Sequence, residues 1–428
     1  MRKKAVLLPG TRIIQSKQNV LDNTYTVFNN KLKNSIEVGA IYAKLLELTG
    51  ECGINKLMYG ALGRKFFRML KDNGFICDSQ DEPNKLVPLF VKRDTDLPLT
   101  SLSIELANLC NLKCVHCYGN YGLESTPMYM PTEWIDNNIE TFYKLNVRRI
   151  ALTGGETTLH PDFLHIVENL LYRGFELCVF TNGLNYQKIQ ELMEKTKKYK
   201  FIVKVSLDGS EYIHNKIRGN SNAYNVTINT IEEIYRHKNV KLYISTTVMK
   251  DNIDYMNEFN TYIREMFPSA IHTNDLVFPN DVNGQCSFQL KELYEVNKRF
   301  PYLFNEGKSH SMVERHKTVS RCSGGISQAT ISPDGSMKIC NAAVADIFKF
   351  EYNVFDKGLE YVWTNGGDII EMFRNEKSHK TIDCISCGYR EKCSITDCRM
   401  LAYAYYNRID RSNPITCITT KNRYGGER

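Results

Sequence analysis

Between residues 100 and 277, extended apolar runs alternate with helical segments, and this rhythm constrains the fold of the chain more than any other feature. The runs are SLSIEL, VRRIALT, FELCVFT, FIVKVSL, VKLYISTTV and AIHTNDLVF, with helical spacing near 132–146, 162–174, 185–198, 222–238 and 252–267. Strands that alternate with helices pair in parallel, because each helix carries the chain back to the starting end of the sheet. The runs are apolar along most of their length, as strands covered by helices are. The expectation is an α/β fold: a partial (β/α)6 barrel, open or closed, over residues 98–278. Chemistry then belongs at the carboxyl ends of the strands.

The flanks differ in texture. Residues 1–95 hold 16 Lys/Arg against nine Asp/Glu, whereas the rest balance at 39 of each, so the net charge of +7 sits in front. A basic front module suits nucleic acid, anionic lipid or an acidic peptide. Residues 1–80 read as a winged-helix-like α+β module. Extended stretches lie around Ala5–Leu8 and Tyr25–Phe28. A helix starts near Ser35, with Ile41, Leu45 and Leu48 in phase and Gly50 as its stop. A second helix carries Leu62, Phe66, Met69 and Leu70 and ends at Gly74. On that helix Arg64, Arg68 and Lys71 share a face opposite Phe66 and Met69, and a solvated face is its plain reading. The polar stretches DSQDEPNKLVP and DTDLP, near residues 80–98, read as a linker. No apolar run approaches the roughly 20 residues of a membrane span, and MRKKAVLLPG is too short in apolar residues for export. The expectation is a cytoplasmic protein.

Fourteen cysteines in such a chain suggest metal or catalysis rather than disulfides. Cys110-x3-Cys114-x2-Cys117 follows the first run directly. Three thiolates on one loop can hold three corners of an iron–sulfur cube and leave the fourth iron open, and zinc with a fourth ligand is the alternative. Residues 318–428 are loop-rich and hold seven cysteines, at 322, 340, 384, 387, 393, 398 and 417, for which bound metal is the expected staple. Cys52, Cys77, Cys178 and Cys286 stand apart and read as buried or simply exposed, with Cys178 in a strand. The later strands end in Thr153-Gly154-Gly155-Glu156, in Asn182 of TNG, and in Ser206-Leu207-Asp208-Gly209, which leads to Arg218-Gly219. Asn182 and Asp208 taken alone would serve as turn residues.

The triplet, with His116 at the aromatic position before its last cysteine, resembles the signature of the radical S-adenosylmethionine (radical SAM) superfamily. The Gly-Gly-Glu turn after the second strand adds to the likeness, although Thr157 stands where that family usually has proline. The resemblance implies a [4Fe–4S] cluster on Cys110, Cys114 and Cys117 that binds SAM at its open iron. It implies that Gly154, Gly155 and Glu156 meet the SAM amino group, that Ser206 and Asp208 lie near its ribose and methionine, that Arg218 pairs with its carboxylate, and that His116 and Asn182 border the cofactor. It also implies reductive cleavage to a 5′-deoxyadenosyl radical that takes a hydrogen atom from substrate.

The C-terminal cysteines resemble the seven-cysteine SPASM extension of peptide- and protein-modifying radical SAM enzymes, with one residue more than the commonest gap between Cys393 and Cys398. That likeness implies one auxiliary iron–sulfur cluster on Cys384, Cys387, Cys393 and Cys417 and another on Cys322, Cys340 and Cys398. The preceding stretch, ERHKTVSRC, has no further cysteine, so His316 or an open iron for a substrate thiolate completes the second set. Structural zinc for part of the extension is the alternative. Residues 1–80 resemble the recognition element that adds a precursor's leader peptide as an extra strand. Together these imply a maturase that installs a cross-link, a cysteine-to-carbon thioether first, in a ribosomally made peptide. Its partners would be the precursor and a flavodoxin- or ferredoxin-like reductant, with neither nucleic acid nor membrane. Carbon–carbon cross-linking, epimerisation and formylglycine formation are the other chemistries. The last meets Asn341 where its enzymes carry a basic aspartate. A non-catalytic iron–sulfur regulator that binds DNA is the reading from another class.

Overall fold

The computed structural model describes residues 5–7, 11–15, 24–29, 34–39, 42, 60–78, 89–91, 97–122, 126–279, 286–304, 322–374, 381–389, 393 and 398–424. Its first part contains β1 (Ala5–Leu7), β2 (Thr11–Gln15), β3 (Thr24–Asn29), β4 (Asn34–Gly39), α1 (Ala61–Asp72), β5 (Ile76–Asp78) and β6 (Leu89–Val91). β1 pairs with β5, and a separate sheet runs β4-β3-β2-β6.

Two expectations are corrected here. The segment from Ser35 is not the start of a helix but an antiparallel strand against β3, with Val38 opposite Tyr25 and Ile36 opposite Val27. Its residues alternate, with Ser35 exposed and Val38 buried. That period of two, with β-branched Ile36 and Val38, lets strand pairing outweigh the helical phase read across Ile41, Leu45 and Leu48. Residues 43–50 of that reading lie outside the described residues. The supposed linker contains β6, which pairs in parallel with β2. α1 stands where its periodicity placed it, burying Phe66 and Leu70 and leaving Arg64, Arg68 and Lys71 exposed.

The central region contains β7 (Ser101–Ala107), α2 (Thr132–Asn137), α3 (Ile139–Lys144), β8 (Arg149–Gly154), α4 (Phe163–Tyr172), β9 (Glu176–Thr181), α5 (Tyr186–Lys195), β10 (Phe201–Ser206), α6 (Glu211–Arg218), α7 (Ala223–Arg236), β11 (Val240–Val248), α8 (Met256–Met266) and β12 (Ile271–Leu276). All six apolar runs are strands, and each pairs in parallel with the next in chain order. The fold is α/β with a mostly parallel sheet. The helix expected at 132–146 is two helices, because Asn138 leaves helical geometry (φ −96°, ψ 3°) and its Nδ2 donates to Trp134 O at 2.8 Å. α6 was not anticipated, although Ile213 and Ile217 at helical spacing before Gly219 would have marked it.

The sheet does not close on itself. β13 (Gln328–Ile331), from the cysteine-rich region, pairs in parallel with β7, and β14 (Met337–Lys338) pairs antiparallel with β13. The result is one sheet of eight strands in the order β12-β11-β10-β9-β8-β7-β13-β14. Beyond it, Trp363 is fully buried and donates Nε1–H to Leu97 O at 2.6 Å, while the Arg374 guanidinium lies 4.7 Å from its ring centre. Leu102, Leu152, Phe142 and Phe163 belong to the continuous apolar core between sheet and helices. Among the described residues no helix is long and apolar enough to cross a membrane.

Candidate cofactor site at the strand ends

Parallel strands in chain order put their carboxyl ends on one rim. The rim receives the cysteine loop after β7, the Gly154–Glu156 turn after β8, Asn182 after β9 and Asp208 after β10. The two glycines matter for a reason that sequence reasoning did not foresee. Their close neighbour is the cysteine loop itself. Gly155 N–H donates to Ala107 O at 2.8 Å and Glu156 N–H to Leu109 O at 2.9 Å. A Cβ on Gly155 would stand 2.1 Å from Leu109 O, and one on Gly154, whose φ is +118°, 2.5 Å from Ala107 O. Only residues without a side chain let the loop lie this close.

Glu156 is buried and turned into the protein. Oε1 accepts from Thr158 N at 3.1 Å and from the hydroxyls of Thr158 and Thr181, each at 2.7 Å, and Oε2 accepts from Asn182 N at 2.7 Å. Burial raises its pKa, and these bonds oppose the rise. Thr157, in place of the usual proline, donates its hydroxyl to Phe180 O at 2.6 Å and ties the turn to β9. Asn182 Nδ2 reaches back to the loop, 2.8 Å from Asn111 Oδ1 and 3.8 Å from Cys110 Sγ.

The other side of the loop is held by α6. Val115 N–H donates to Ile217 O at 3.0 Å. Arg218, at the last position of α6, is 7% exposed. Its Nε donates to Asp208 Oδ2 at 2.7 Å and its Nη1 stands 3.6 Å from Cys114 Sγ. Burial disfavours the guanidinium charge, but Asp208 and Cys114 outweigh it and keep Arg218 protonated. Burial likewise works against the Asp208 carboxylate, and Arg218 overcomes it and holds the pKa below the ordinary value. Asp208 also accepts from Thr247 N at 3.1 Å, and its carbonyl accepts from Asn252 Nδ2 at 2.9 Å. Asn252 had no motif to reveal it, and His116 lies within electrostatic reach of Asp208. Ser206 is the last residue of β10, in register with Ser245.

The thiols fall into groups. Cys110 lies within electrostatic reach of Cys114 and Cys117, and burial pushes its thiol up to about 12. Burial also raises Cys114, against the pull of Arg218. In the C-terminal region Cys398 lies near both Cys322 and Cys340. Burial raises the thiols of Cys398 and Cys340 to about 12 and about 11. Cys417 lies near Cys384 and Cys393, and burial raises it to about 11. Cys387 is half-buried, two residues beyond the helix Ile382–Ile385. Cys286 is buried, and Cys178 lies in β9 with its thiol pushed up to about 12 by burial. His316 and Cys52 lie outside the described residues, as does the side chain of Cys77. Asn341 accepts from the Thr330 hydroxyl at 2.7 Å.

Among the described residues, no three His, Cys, Asp or Glu side chains converge as the ligands of a single ion do. Three half-buried thiols on one loop, those of Cys110, Cys114 and Cys117, can hold three corners of an iron–sulfur cluster. The Cys110–Cys117 donor set therefore fits an iron–sulfur cluster.

The model of the radical SAM superfamily matches residues 104–263, from the middle of β7 into α8. The chain carries a radical SAM domain. That family implies a [4Fe–4S] cluster and SAM at this domain. The chain is 25% identical over 318 residues to the antilisterial bacteriocin subtilosin biosynthesis protein AlbA of Bacillus subtilis, matching 70% of this chain and 65% of that protein. It is also 25% identical over 320 residues to the mycofactocin maturase MftC of Mycobacterium tuberculosis, matching 71% of this chain and 78% of that protein. Among solved structures, Streptococcus suis SuiB bound to precursor peptide SuiA aligns with a TM-score of 0.60 at 16% identity, covering 96% of this chain and 99% of that one. Native anSMEcpe with bound AdoMet aligns at 0.60 and 18%, covering 76% and 97%. These structural likenesses show the fold alone.

Proposed function

We propose that this radical SAM enzyme is a maturase that installs a cross-link, a cysteine-to-carbon thioether, in a ribosomally synthesised precursor peptide. The observation that carries the reading is the grouping of the thiols. Cys322, Cys340 and Cys398 neighbour one another, Cys417 lies near both Cys384 and Cys393, and Cys110 lies near Cys114 and Cys117. Such grouping supports two auxiliary iron–sulfur clusters beside the one that binds SAM, Cys387 completing the second group. Relatives named as a bacteriocin biosynthesis protein and a maturase, and a structural neighbour bound to its precursor peptide, support a peptide substrate.

In this reading residues 1–80 form the leader-recognition unit, 98–278 the radical SAM core and 318–428 the auxiliary-cluster unit. The edge of β4 takes the leader as a further strand, and exposed Arg64, Arg68 and Lys71 on α1 favour an acidic one. When bound, cluster and SAM supply the 5′-deoxyadenosyl radical. Gly154, Gly155, Glu156, Asn182, Ser206, Asp208, Arg218 and His116 border SAM. Cys110, Cys114 and Cys117 hold the cluster. A flavodoxin- or ferredoxin-like protein supplies the electron. Asn341, already bonded to Thr330, takes no proton, which argues against formylglycine chemistry.

The test is mass spectrometry of a short peptide encoded beside this gene and co-expressed with the enzyme. Loss of two hydrogens with one cysteine protected from alkylation supports the thioether. The same loss with every cysteine reactive points to a carbon–carbon link, and deuterium gain in heavy water to epimerisation. DNA binding by fully loaded protein that forms no 5′-deoxyadenosine would overturn the enzymatic reading.

A further inference from the structure

β7 is buried over six of its seven residues, and its side chains alternate between two faces. Leu102, Ile104 and Leu106 belong to the apolar core. Glu105, on the other face, is 2% exposed. Its Oε1 accepts from the Tyr121 hydroxyl at 2.7 Å and lies 2.7 Å from Lys338 Nζ, and its Oε2 accepts from the Ser332 hydroxyl at 2.7 Å. Lys338 is itself 7% exposed. Three stretches of chain meet at this carboxylate: the first barrel strand, the cysteine loop and the β13–β14 hairpin that leads to Cys340.

The surroundings give the junction a direction. Tyr121 stands edge-on to Tyr118, ring centres 6.1 Å apart. Half-buried Tyr118 is within electrostatic reach of both Cys117 and Cys340. A polar chain thus spans from the radical SAM triplet to the first C-terminal thiol group. The strand pairing that links that group to β7 is short. β13 pairs with β7 over four residues, but β14 is two residues long and lies one strand further out. Lys338 is the side chain that reaches from β14 across to β7.

A buried ion pair is a poor device for stability, since desolvation offsets most of the Coulomb attraction and an apolar pair of similar volume does as well. Fully bonded charges do, however, impose one geometry. We propose that Glu105 and Lys338, locked by Tyr121 and Ser332, are positioning residues that fix Cys340 and its neighbouring thiols relative to the Cys110–Cys117 loop, and so set the width of the space between two iron–sulfur centres in which a peptide residue is held. This rests on reading Cys322, Cys340 and Cys398 as ligands of an auxiliary cluster.

The test needs no peptide. Wild type, Lys338→Met, the apolar pair Glu105→Leu/Lys338→Met, and Lys338→Arg are reconstituted anaerobically, their iron is counted, and the reduced SAM-binding cluster is examined by EPR power saturation. A second paramagnetic centre nearby speeds its relaxation with a steep dependence on distance. The expected result is a severalfold change in half-saturation power in Lys338→Met and in the apolar pair at wild-type iron content, with restoration in Lys338→Arg. Should Lys338→Met alone fail to fold, the apolar pair, which leaves no unpaired charge, still reports. Unchanged half-saturation power in loaded variants would overturn the latch. About four irons per chain in the reconstituted wild type would instead refute the auxiliary clusters, and the latch with them.

Discussion

Arg218 Nη1 stands 3.6 Å from Cys114 Sγ while its Nε is anchored 2.7 Å from Asp208. Asn182 repeats the arrangement on the other side of the loop: its backbone N–H is anchored on Glu156 and its Nδ2 stands 3.8 Å from Cys110 Sγ. Two thiols of the triplet are thus each backed by an N–H donor, one on a guanidinium held by a buried carboxylate and one on an amide also bonded to Asn111 Oδ1 at 2.8 Å. Donors to a cluster's sulfurs stabilise its reduced, more negative state and raise its potential. Asn182→Ala is expected to lower the midpoint potential of the SAM-free cluster in an EPR-monitored titration. An unchanged midpoint in loaded protein would mean that the amide does not act on the cluster.

The Gly154–Gly155 turn makes a steric prediction. Alanine at 155 would bring its Cβ to 2.1 Å from Leu109 O, whereas Gly60 has nothing within 4 Å. Gly155→Ala is expected to displace the cysteine loop and cut iron incorporation at the triplet, with Gly60→Ala near wild type. A full cluster signal in Gly155→Ala would show that the loop can yield.

Glu156 accepts four hydrogen bonds without exposure to water. Glu156→Gln turns one acceptor oxygen into an NH2 group that faces donors, and leaving a buried donor unpaired costs about 1–3 kcal/mol. The variant is expected to melt at a lower temperature by calorimetry and to loosen Asn182. Unchanged melting would mean that the four donors find other partners.

His272 gives a pH prediction. Burial lowers its pKa from the ordinary 6.5 to about 4, and its Nε2 lies 2.8 Å from the Thr246 hydroxyl. The folded protein therefore binds this proton less readily than the unfolded chain. The stability involved is complete above about pH 6.5 and is lost as pH falls towards 4, to a total of about 3 kcal/mol. His272→Gln should lose less stability than wild type between pH 7.5 and 5 in urea titrations. Parallel losses in the two proteins would assign the acid sensitivity elsewhere.

Much of this arrangement was legible in the chain because it is written locally. Each of the six barrel strands is an apolar run bounded by its own helix, and Cys110, Cys114 and Cys117 sit on one short loop at the end of the first run. Once the strands are parallel and in order, the Gly154–Glu156 turn, Asn182 and Asp208 must share that rim. The segment from Ser35 is ambiguous in the sequence for the complementary reason. Its residues satisfy both periods over a short window, and pairing with β3 decided between them.

What the sequence determined by itself is therefore the α/β alternation, the thiol spacing and the residues at each strand end. The tertiary structure alone decided that β13 would seal the β7 edge, that Glu156 would face four internal donors, that α6 would aim Arg218 at Cys114, and that Glu105 would meet Lys338, 233 positions later. The physical reason is range. Periodicity and turn chemistry act over a few residues, whereas the partner of a buried charge is set by which distant segments the packed sheet brings into the same dry volume.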